Sequence, residues 1–456
     1  QNTMAKSGTS DFYNGVATQS LRFDDGSSPY LTKTFSAGTS TGSGATCTVS
    51  CWVKRSTISN GDQWFFTAGS SSPAWLIGFR TNDNLAFGDD DGNPFVTVTS
   101  RVFRDTSAWY HIVLRVKTSE TANADKYKFY VNGELQATTF SGTAADTLFG
   151  TNVIHNIGRY PTGSSYFDGY MSDLNFVDGL ALDASYFGET KNGVWIPKEP
   201  DVSEYGTNGF RLKFDQVGVG TASTSTIGAD TSGKTNHLTS SGIVASDCAM
   251  PDSPENNFST LLGSLSEPSD YQGYAKGTYS EGGLKVTGVS SGWTNGKNNF
   301  LVNSGKWYAE FVVNAWVNSN SVRMGVYARP ARTYDEYFWL GNGNGQLDAG
   351  SKNSKVGTFT TGDVIQIAID LENNNIFFGK NNTWENSATE GEIEAGTATN
   401  AFASGSEVPT GDGHYYGIYG NPHSTSTNIS FNFGQDSSFA GTETAQGNTD
   451  GNGIGD

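Results

Sequence analysis

The sequence predicts an all-β protein built from two antiparallel β-sandwich domains joined by a long, loop-rich connector. Apolar and polar residues alternate with a period of two in many short stretches, which is typical of strands with one buried face. Clusters of Gly, Asn, Asp and Ser separate these stretches, and 57 of the 456 residues are glycine. No long stretch shows the apolar period of a helix. A single core stops growing beyond roughly 250–300 residues, so the length favours two domains.

The first predicted domain covers residues 11–200 and follows an N-terminal arm of residues 1–10. Asn132-Gly133 follows an alternating strand and predicts a tight hairpin, because both residues tolerate a positive φ. The clearest predicted strands are VSCWV (49–53), WLIGF (75–79), WYHIVLRV (109–116), YKFYVNGELQ (127–136) and YMSDLNFVDG (170–179).

The composition changes between residues 201 and 275, where Gly, Ser, Thr and Asp dominate. Because this low apolar content cannot build a core of its own, the stretch is predicted to be a weakly structured connector. One segment, FRLKFD (210–215), has the pattern of a strand and is expected to join the sheet of the first domain.

Alternation returns in residues 276–439, which form the second predicted domain. The spacing of its strands suits another β-sandwich. Residues 440–456 have no apolar anchor and are predicted to be a flexible tail. The clearest strands are GLKV (283–286), KWYAEFVV (306–313), SVRMGVYA (321–328), YFWLG (337–341), DVIQIAIDL (363–371), NIFFGK (375–380), YYGIYG (415–420) and ISFNFG (429–434).

The charge of the chain limits the classes of partner that it can bind. With 28 Lys and Arg against 46 Asp and Glu, the formal net charge is −18 at pH 7. Nucleic acids and acidic membrane surfaces both require clustered Lys and Arg, so neither is expected as a partner. No apolar run approaches the roughly 20 residues that span a bilayer, so no membrane insertion is expected. The three cysteines are predicted to be buried free thiols, since Cys47 and Cys51 would lie roughly 13 Å apart along one strand.

Several segments of the first domain follow one another in a family-like order. They are VSCWVKRS (49–56), WYHIVLRV (109–116), KFYVNGEL (128–135), IGRY (157–160) and FDGYMSDLNFVDG (167–179). In this order they resemble the concanavalin A-like jelly rolls of the laminin-G type. The resemblance covers about residues 11–200 and implies a lectin-like sandwich.

The second domain carries a more specific set of segments. They are GKWYAEF (305–311), VRMGVY (322–327), GDVIQIAIDLENNNIFFGKNN (362–382) and FNFG (431–434). These segments resemble the SPRY domain, over about residues 276–439. The resemblance implies a second concanavalin A-like sandwich, which recognises its partners through loops at one end.

The pairing of the two domains is informative in itself. Together with DFYNGVATQSLRFDD (11–25), FDGYMSDLNFVDGLALDASYFGE (167–189), GVWIPKE (193–199), IGADTSGKTNHL (227–238) and DSPENNF (252–258), it resembles large structural proteins of tailed phages from marine bacteria. The resemblance implies a virion component such as a fibre, an appendage or a capsid decoration protein. Its partners would be other virion proteins, copies of itself and glycans of the host surface. It would be assembled in the host cytoplasm and exposed on the virion surface.

No catalytic residue is predicted. Retaining glucanases of the concanavalin A-like fold need two carboxylates about 5–5.5 Å apart, and their E-x-D-x-x-E signature is missing. EGEIEAG (390–396) is similar in composition but is expected to be a loop without that spacing. His111 is expected to be a packed strand residue. A secreted or surface adhesin of a marine bacterium is the alternative to a virion protein, and a glycoside hydrolase is the third hypothesis.

Calcium is the one cofactor for which the sequence offers candidate ligands. DDDGNP (89–94) places Asp89, Asp91 and Asn93 in a Gly-containing loop, and hard cations prefer several oxygen ligands on a compact turn. The loop lacks the spacing of an EF-hand and a distal bidentate Glu. A solvated hairpin loop is therefore the alternative interpretation.

Exposed aromatic residues are the candidates for glycan binding, because sugars stack on aromatic faces. The alternative for each of them is packing against its own loop. The candidates are Trp75 and Tyr160 in the first domain, and Trp316, Tyr334, Tyr337 and Trp384 in the second. Individual sites of this kind are weak, so many copies in a homo-oligomer or on a particle are expected to supply avidity.

Overall fold

A computed structural model describes residues 2–3, 5–6, 14–36, 44–90, 96–262, 275–290, 292–318, 320–329, 336–347, 350–411 and 413–447. The chain divides into two compact units. The first unit is Ser7–Asn257, and the second unit is Phe258–Asp456 together with Gln1–Lys6. Each unit contains two large antiparallel sheets around an apolar core, so the predicted all-β class is confirmed. Within the described ranges, no helix has the length and apolar character needed to cross a bilayer.

Two sheets build the first unit. In spatial order, one sheet contains Glu134–Leu135, Tyr127–Val131, Tyr110–Lys117, Thr46–Arg55, Gly169–Asp178 and Phe210–Leu212, and Leu21–Phe23 also pairs with Gly169–Asp178. The other contains Thr138–Ser141, Val96–Val102, Asn84–Asp89, Ala74–Phe79, Gln63–Gly69, Ile154–Ile157, Tyr30–Thr34 and Thr239–Ser241. A hairpin of Gly188–Lys191 and Val194–Pro197, the helix Asn123–Lys126 and the 3-10 turns Asp25–Ser27, Ala184–Tyr186 and Ala245–Asp247 complete the unit.

The strand Thr46–Arg55 explains how the first core forms. Alternate residues, including Cys47 and Cys51, point into the core between the sheets, and both are buried free thiols as predicted. The residues between them lie on the opposite face, where Trp52 joins a smaller apolar cluster. Every residue of the strand after Thr46 is buried, so its second face is covered as well.

The predicted connector supplies part of that cover, which corrects the expectation that it is weakly structured. Residues 201–257 belong to the first unit. Asp252 accepts a hydrogen bond from Nζ of the buried Lys54 at 2.8 Å, and Asp247 pairs with the buried Arg22 at 3.0 Å. Charged residues can be buried when they pair with an opposite charge. The apolar content of a sequence does not show such pairs. The expected strand at 210–215 is present as Phe210–Leu212.

Two sheets also build the second unit. In spatial order, the larger contains Thr278–Ser280, Lys285–Thr287, Asn428–Asn432, Lys306–Ala315, Val364–Asp370, Asn375–Lys380 and Thr383–Trp384. In addition, Ala403–Ser404 pairs with Asn375–Lys380, and Asn2–Thr3 pairs in parallel with Lys306–Ala315. The smaller contains Gly350–Ser351, Asn344–Leu347, Glu336–Leu340, Val322–Arg329 and Tyr415–Pro422. The helix is Glu390–Ala395, the 3-10 turns are Glu281–Gly283, Asn353–Lys355, Glu385–Ser387 and Gly405–Glu407, and short strands lie at Ala5–Lys6 and Asn257–Phe258.

Aromatic residues dominate the second core. Trp339 is fully buried and contacts Phe359 and Phe378, and its Nε1 donates to the carbonyl of Gly357 at 2.8 Å. The unit extends beyond the predicted start at residue 276, because Leu261 already belongs to this core.

Candidate functional site

A groove of about 740 Å³ lies on the outer face of the larger sheet of the second unit. Its floor consists of side chains from the strands Lys306–Ala315 and Val364–Asp370. The helix Glu390–Ala395 and Trp384 form one side, and residues of the segment 437–446 line the rest. We refer to this feature as the groove.

The period of the strands determines which side chains form the floor. Ala309 and Phe311 point into the core, so Tyr308 and Glu310 point outwards. The antiparallel register places Tyr308 opposite Ala368 and Glu310 opposite Gln366. The small side chain of Ala368 therefore lies beside the aromatic ring of Tyr308, and the amide of Gln366 lies beside the carboxylate of Glu310.

A chain of hydrogen bonds crosses the floor. The hydroxyl of Tyr308 donates to Oε1 of Glu310 at 2.6 Å and accepts from Nε2 of Gln366 at 2.8 Å. Oε1 of Gln366 accepts from the backbone N–H of Asn382 at 2.7 Å, and Nδ2 of Asn382 donates to Oε1 of Gln446 at 3.1 Å. These bonds fix the orientation of each polar group before a ligand arrives.

Trp384 gives the groove an aromatic wall. Its ring lies 6.4 Å from the ring of Tyr308 at an angle of 68°, an edge-on arrangement. The neighbouring position on the sheet is Gly379, and a Cβ atom there would lie 3.0 Å from the Trp384 ring. The absence of a side chain at Gly379 thus lets the indole lie against the sheet while part of it faces the groove.

The groove is strongly acidic. Among the described residues that line it, the one cation is Lys306, which already contacts Asp370 at 3.5 Å and donates to the carbonyl of Glu394 at 2.5 Å. Burial, together with the nearby Glu310, raises the pKa of Tyr308, so its hydroxyl stays protonated at neutral pH. The part of the lining that the structure describes contains five carboxylates, which are Glu310, Asp370, Glu390, Glu394 and Glu443.

Trp384 is the predicted ligand-binding aromatic that lines the groove. Trp316 lies elsewhere in the second unit and stacks on Phe359, with ring centroids 5.6 Å apart. In the first unit, the hydroxyl of Tyr160 lies between two acceptors, a carboxylate oxygen of Asp90 and the carbonyl of Ser71, so its single O–H is engaged. Burial and Asp90 raise the pKa of Tyr160 to about 12.

Two of the predicted glycan-binding aromatics are buried core residues, which corrects the expectation that they are exposed at strand ends. Trp75 is 3% exposed, because its side chain belongs to the apolar core of the first unit. Tyr337 is fully buried, and its hydroxyl donates to the carbonyl of Glu407 at 2.5 Å. Both residues stand near the start of a strand and follow a polar, loop-like stretch, so the sequence pattern did not show that their side chains are buried. Tyr334 lies outside the described residues.

The predicted calcium ligands cannot be compared as a set, since Asp91 and Asn93 lie outside the described residues. Asp89 ends the strand Asn84–Asp89 and is partly exposed. The calcium site in this loop therefore stays a prediction.

Sequence reasoning missed most of the groove. Tyr308 and Glu310 lie in GKWYAEF, and their spacing of two already indicated a shared face. The segment 390–396 was expected to be a loop, but Glu390–Ala395 is a helix. Thr389 begins it with a capping box, in which its side chain accepts from the backbone of Glu392 and Glu392 binds back.

His111 is the residue whose surroundings come nearest to a catalytic pair. Its Nε2 lies 2.9 Å from Oγ of Ser50, but its Nδ1 accepts from Nε1 of Trp195 instead of binding a carboxylate. The imidazole is 1% exposed, and burial lowers its pKa to about 3. A substrate cannot reach it, so His111 is a packed strand residue as predicted.

Two protein-family models match the chain. The model of the concanavalin A-like lectin/glucanases superfamily, of the laminin-G type, matches residues 12–185, and the SPRY domain model matches residues 306–406. The chain therefore contains a concanavalin A-like domain and a SPRY domain in this order. At the level of these two families, the resemblances are confirmed.

Solved structures of low sequence identity also match parts of the chain. The SPRY domain of human HERC1 is 21% identical, covers 34% of this chain and is itself 90% covered, with a TM-score of 0.26. The heptameric SAP-like pentraxin of Limulus polyphemus is 17% identical over 39% of this chain and 75% of its own, with a TM-score of 0.25. The CBM40 of the Ruminococcus gnavus IT-sialidase is 14% identical over 37% of this chain and 95% of its own, with a TM-score of 0.25. No curated protein matches the chain.

Proposed function

We propose that the protein is a non-enzymatic structural protein of a phage virion that attaches to host-surface glycans through the groove. The observation that carries the glycan part is the composition of the groove, in which a partly exposed indole stands over ordered carboxylates and amides. Sugars present C–H faces that stack on aromatic rings and hydroxyl groups that donate to such oxygens. The volume of about 740 Å³ lies within the roughly 300–1,000 Å³ typical of small-molecule sites.

The charge of the groove narrows the class of glycan. The described lining has five carboxylates that repel an anionic ligand, and its lysine is already paired with Asp370. The proposed ligand is therefore a neutral or amine-bearing glycan. Sialic acids and uronic acids are excluded by the same electrostatics.

The first unit supports the same function at the level of its family. Its matching model describes lectins as well as glucanases. Two lectin-like units in one chain, repeated on a particle, convert weak single contacts into avidity. We therefore propose self-association and contacts with other virion proteins.

The viral part of the proposal rests on the segments outside the two family matches. The stretches at 193–199, 227–238 and 252–258, and the order of the two domains, resemble tailed-phage structural proteins. The proposed location is the virion surface, after assembly in the host cytoplasm. Mass spectrometry of purified particles tests this directly. Peptides of this chain should be present in stoichiometric amounts, and their absence from intact particles would refute a virion role.

A glycan array followed by titration tests the groove. The intact protein should bind neutral or amine-bearing glycans, and Trp384→Ala should weaken binding by about tenfold, the equivalent of an aromatic contact of about 1.4 kcal/mol. Trp316→Ala is the matched control, because it removes a half-buried tryptophan of the same unit outside the groove. Equal loss in both variants, or binding confined to acidic glycans, would contradict the proposal.

A further inference from the structure

A lysine, an aspartate and an asparagine meet on the outer face of the strand Thr46–Arg55. Lys54 lies two residues after Trp52, so the period of the strand turns both side chains away from the main core. Nζ of Lys54 lies 2.8 Å from Oδ2 of Asp252 and 2.9 Å from Oδ1 of Asn257. Lys54 and Asn257 are 203 positions apart in the sequence, and the fold places the amine of one against the carboxamide of the other. We refer to these three residues as the triad.

The ion pair of the triad is shielded from water. The side chains of Lys54 and Asp252 are both 0% exposed. The ring of Tyr170 lies 5.9 Å from Nζ of Lys54, and Nε1 of Trp109 donates to Oδ1 of Asp252 at 3.1 Å. Burial lowers the pKa of Lys54, and the charge of Asp252 opposes this shift. A desolvated lysine gives up its proton more readily than an exposed one, and the neutral amine is a nucleophile.

Asn257 presents its carbonyl group to this amine. Its Nδ2 donates to the carbonyl of Ser107 at 2.7 Å, which leaves Oδ1 facing Lys54. Since the C=O bond is about 1.2 Å long, Nζ lies at most about 4.1 Å from Cγ of Asn257. Atoms that are held about 3–3.5 Å apart in a suitable orientation react much faster than free groups, and a small rotation of either side chain brings Nζ to this distance. The triad therefore combines a nucleophile, an electrophile and a carboxylate that can carry protons between them.

We propose that Nζ of Lys54 and Cγ of Asn257 form an isopeptide bond, with Asp252 as the group that moves the protons. Asp252 takes a proton from the ammonium group of Lys54, and the neutral amine attacks Cγ. Asp252 then passes this proton to Nδ2 and takes a second proton from the attacking nitrogen. The bond between Cγ and Nδ2 breaks, and ammonia leaves with the second proton as an ammonium ion. One cation is consumed and one is released, so the reaction needs no oxidant and no other reactant.

The bond would tie the last residue of the first unit to one of its central strands. Asn257 ends this unit, and Lys54 lies near the end of the strand Thr46–Arg55. A pulling force on Asn257 would reach the strand through covalent bonds, without first unfolding residues 201–256. A cross-link that closes so long a loop also removes many conformations from the unfolded chain, as a disulfide does.

Peptide mapping of the intact chain by mass spectrometry tests this bond. The protein is reduced and alkylated first, because both of the expected peptides contain cysteine and a disulfide could also join them. Trypsin should then release a branched peptide that contains residues 34–55 and 235–276 and weighs one ammonia molecule less than their sum. The mass of the whole chain does not decide the question, because cyclisation of Gln1 also releases ammonia.

Variants of the triad locate the reaction. Asn257→Ala keeps the ion pair of Lys54 and Asp252 and should yield no branched peptide, and neither should Lys54→Arg. Asn257→Asp should yield the branched peptide with loss of water instead of ammonia. Asp252→Asn should leave most of the freshly purified chain unlinked, because a positioned proton carrier contributes about 10²–10⁴-fold to a rate. Lys234→Arg is the matched control and should keep the full yield, because Lys234 pairs with an exposed glutamate instead.

The outcomes decide between a covalent bond and a simple ion pair. If the parent protein yields no branched peptide, the triad is a hydrogen-bonded ion pair and the proposal is wrong. A branched peptide that persists in Asn257→Ala would place the bond at another residue, and an equal yield in Asp252→Asn would refute the role of Asp252. Should Lys54→Arg fail to fold, Asn257→Ala decides, because it leaves the buried charges paired, and circular dichroism verifies that it is folded.

Discussion

Single carboxylates inside the first unit hold segments that are far apart in the sequence. Glu255 is 5% exposed, and its Oε2 accepts from the backbone N–H groups of Asn14 and Gly15 at 2.8 and 2.9 Å. Its Oε1 accepts from the N–H groups of Val16 and Ala17, both at 2.8 Å. One side chain thus satisfies four donors of the N-terminal segment, and no apolar pattern marks this role in the sequence.

Glu255→Gln should destabilise the first unit by about 2–3 kcal/mol, because an amide group would direct N–H donors at backbone N–H donors and leave them unsatisfied. Urea denaturation followed by tryptophan fluorescence measures the change. Glu189→Gln is the control, because Glu189 is exposed and its substitution should change stability by less than about 0.5 kcal/mol. Equal midpoints for all three proteins would show that the four bonds contribute nothing.

Buried histidines should make the first unit sensitive to mild acid. Burial lowers the pKa of His111 to about 3 and that of His155 to about 4, whereas both are near 6.5 in the unfolded chain. The unfolded state therefore binds more protons below pH 6.5, and stability falls as the pH falls from 6.5 towards 3. From pH 7 to pH 5, His111 alone should remove about 2 kcal/mol.

The contribution of His111 can be isolated with His111→Gln. This variant loses the contacts to Ser50 and Trp195 at every pH, but its loss of stability between pH 7 and pH 5 should be about 2 kcal/mol smaller than in the parent protein. Urea midpoints at the two pH values give this double difference. An unchanged pH dependence would mean that His111 is not buried in neutral form.

The roles of some single residues can be predicted from the sequence, and those of others cannot. His111 lies in the middle of WYHIV, where the alternation on both sides fixes its surroundings, and its role as a packed residue was predictable. Trp75 and Tyr337 stand at the borders of their strands, where a shift of one or two residues converts a loop residue into a core residue. The partners of Glu255 lie about 240 positions away in the sequence, and nothing local indicates them.

At the scale of secondary structure, strands were predictable because their period is local, whereas the groove was not. Its walls come from segments near residues 308, 366, 384, 393 and 443, which only the folded sheet brings together. The helix Glu390–Ala395 has six residues, too few to show a helical period. The strands that form the floor of the groove could therefore be predicted from local patterns, whereas the segments that form its sides could not.

Gly379→Val should close the groove without unfolding the second unit. A Cβ atom at this position would lie 3.0 Å from the ring of Trp384 and 3.3 Å from Oε1 of Gln366, so a branched side chain must displace the indole. Glycan binding should fall at least as much as in Trp384→Ala. Gly391→Ala is the control, because no atom lies within 4 Å of its added Cβ atom and alanine favours the helix.

Titration of both glycine variants with a glycan identified on the array measures this effect. Retained affinity in Gly379→Val, at a Tm equal to that of the parent protein, would show that the position of Trp384 does not determine binding. Loss of affinity in Gly391→Ala would place the relevant contact on the helix instead.

At the scale of the whole molecule, the net charge of −18 acquires a structural meaning. In the sequence, this charge argues only against nucleic acids and membranes as partners. In the folded first unit, Asp173, Asp247, Asp252 and Glu255 are buried and bind cationic side chains or backbone N–H groups. Part of the acidity is therefore internal, and the stretch that resembled a loose connector contributes three of these four carboxylates.

The extent of the first unit can be tested with two fragments. A fragment of residues 7–257 should unfold in one cooperative transition, because it contains every buried ion pair named above for this unit. A fragment of residues 7–200, the length suggested by the sequence pattern, lacks Asp247 and Asp252. It also lacks Phe210, Leu212 and Leu238, which are buried in the first core, so their loss opens that core to water. Arg22 and Lys54 lose both their partners and the segment that covers them.

Burial of a large apolar side chain contributes about 1.5–3 kcal/mol, so the loss of several of them is comparable to the entire stability of a typical domain, which is about 5–15 kcal/mol. The shorter fragment should therefore be unfolded or aggregated at 25 °C. Circular dichroism and heteronuclear NMR spectra distinguish the two fragments. If residues 7–200 fold with the same Tm as residues 7–257, the connector does not stabilise the sandwich, and the boundary near residue 200 is the true limit of the first domain.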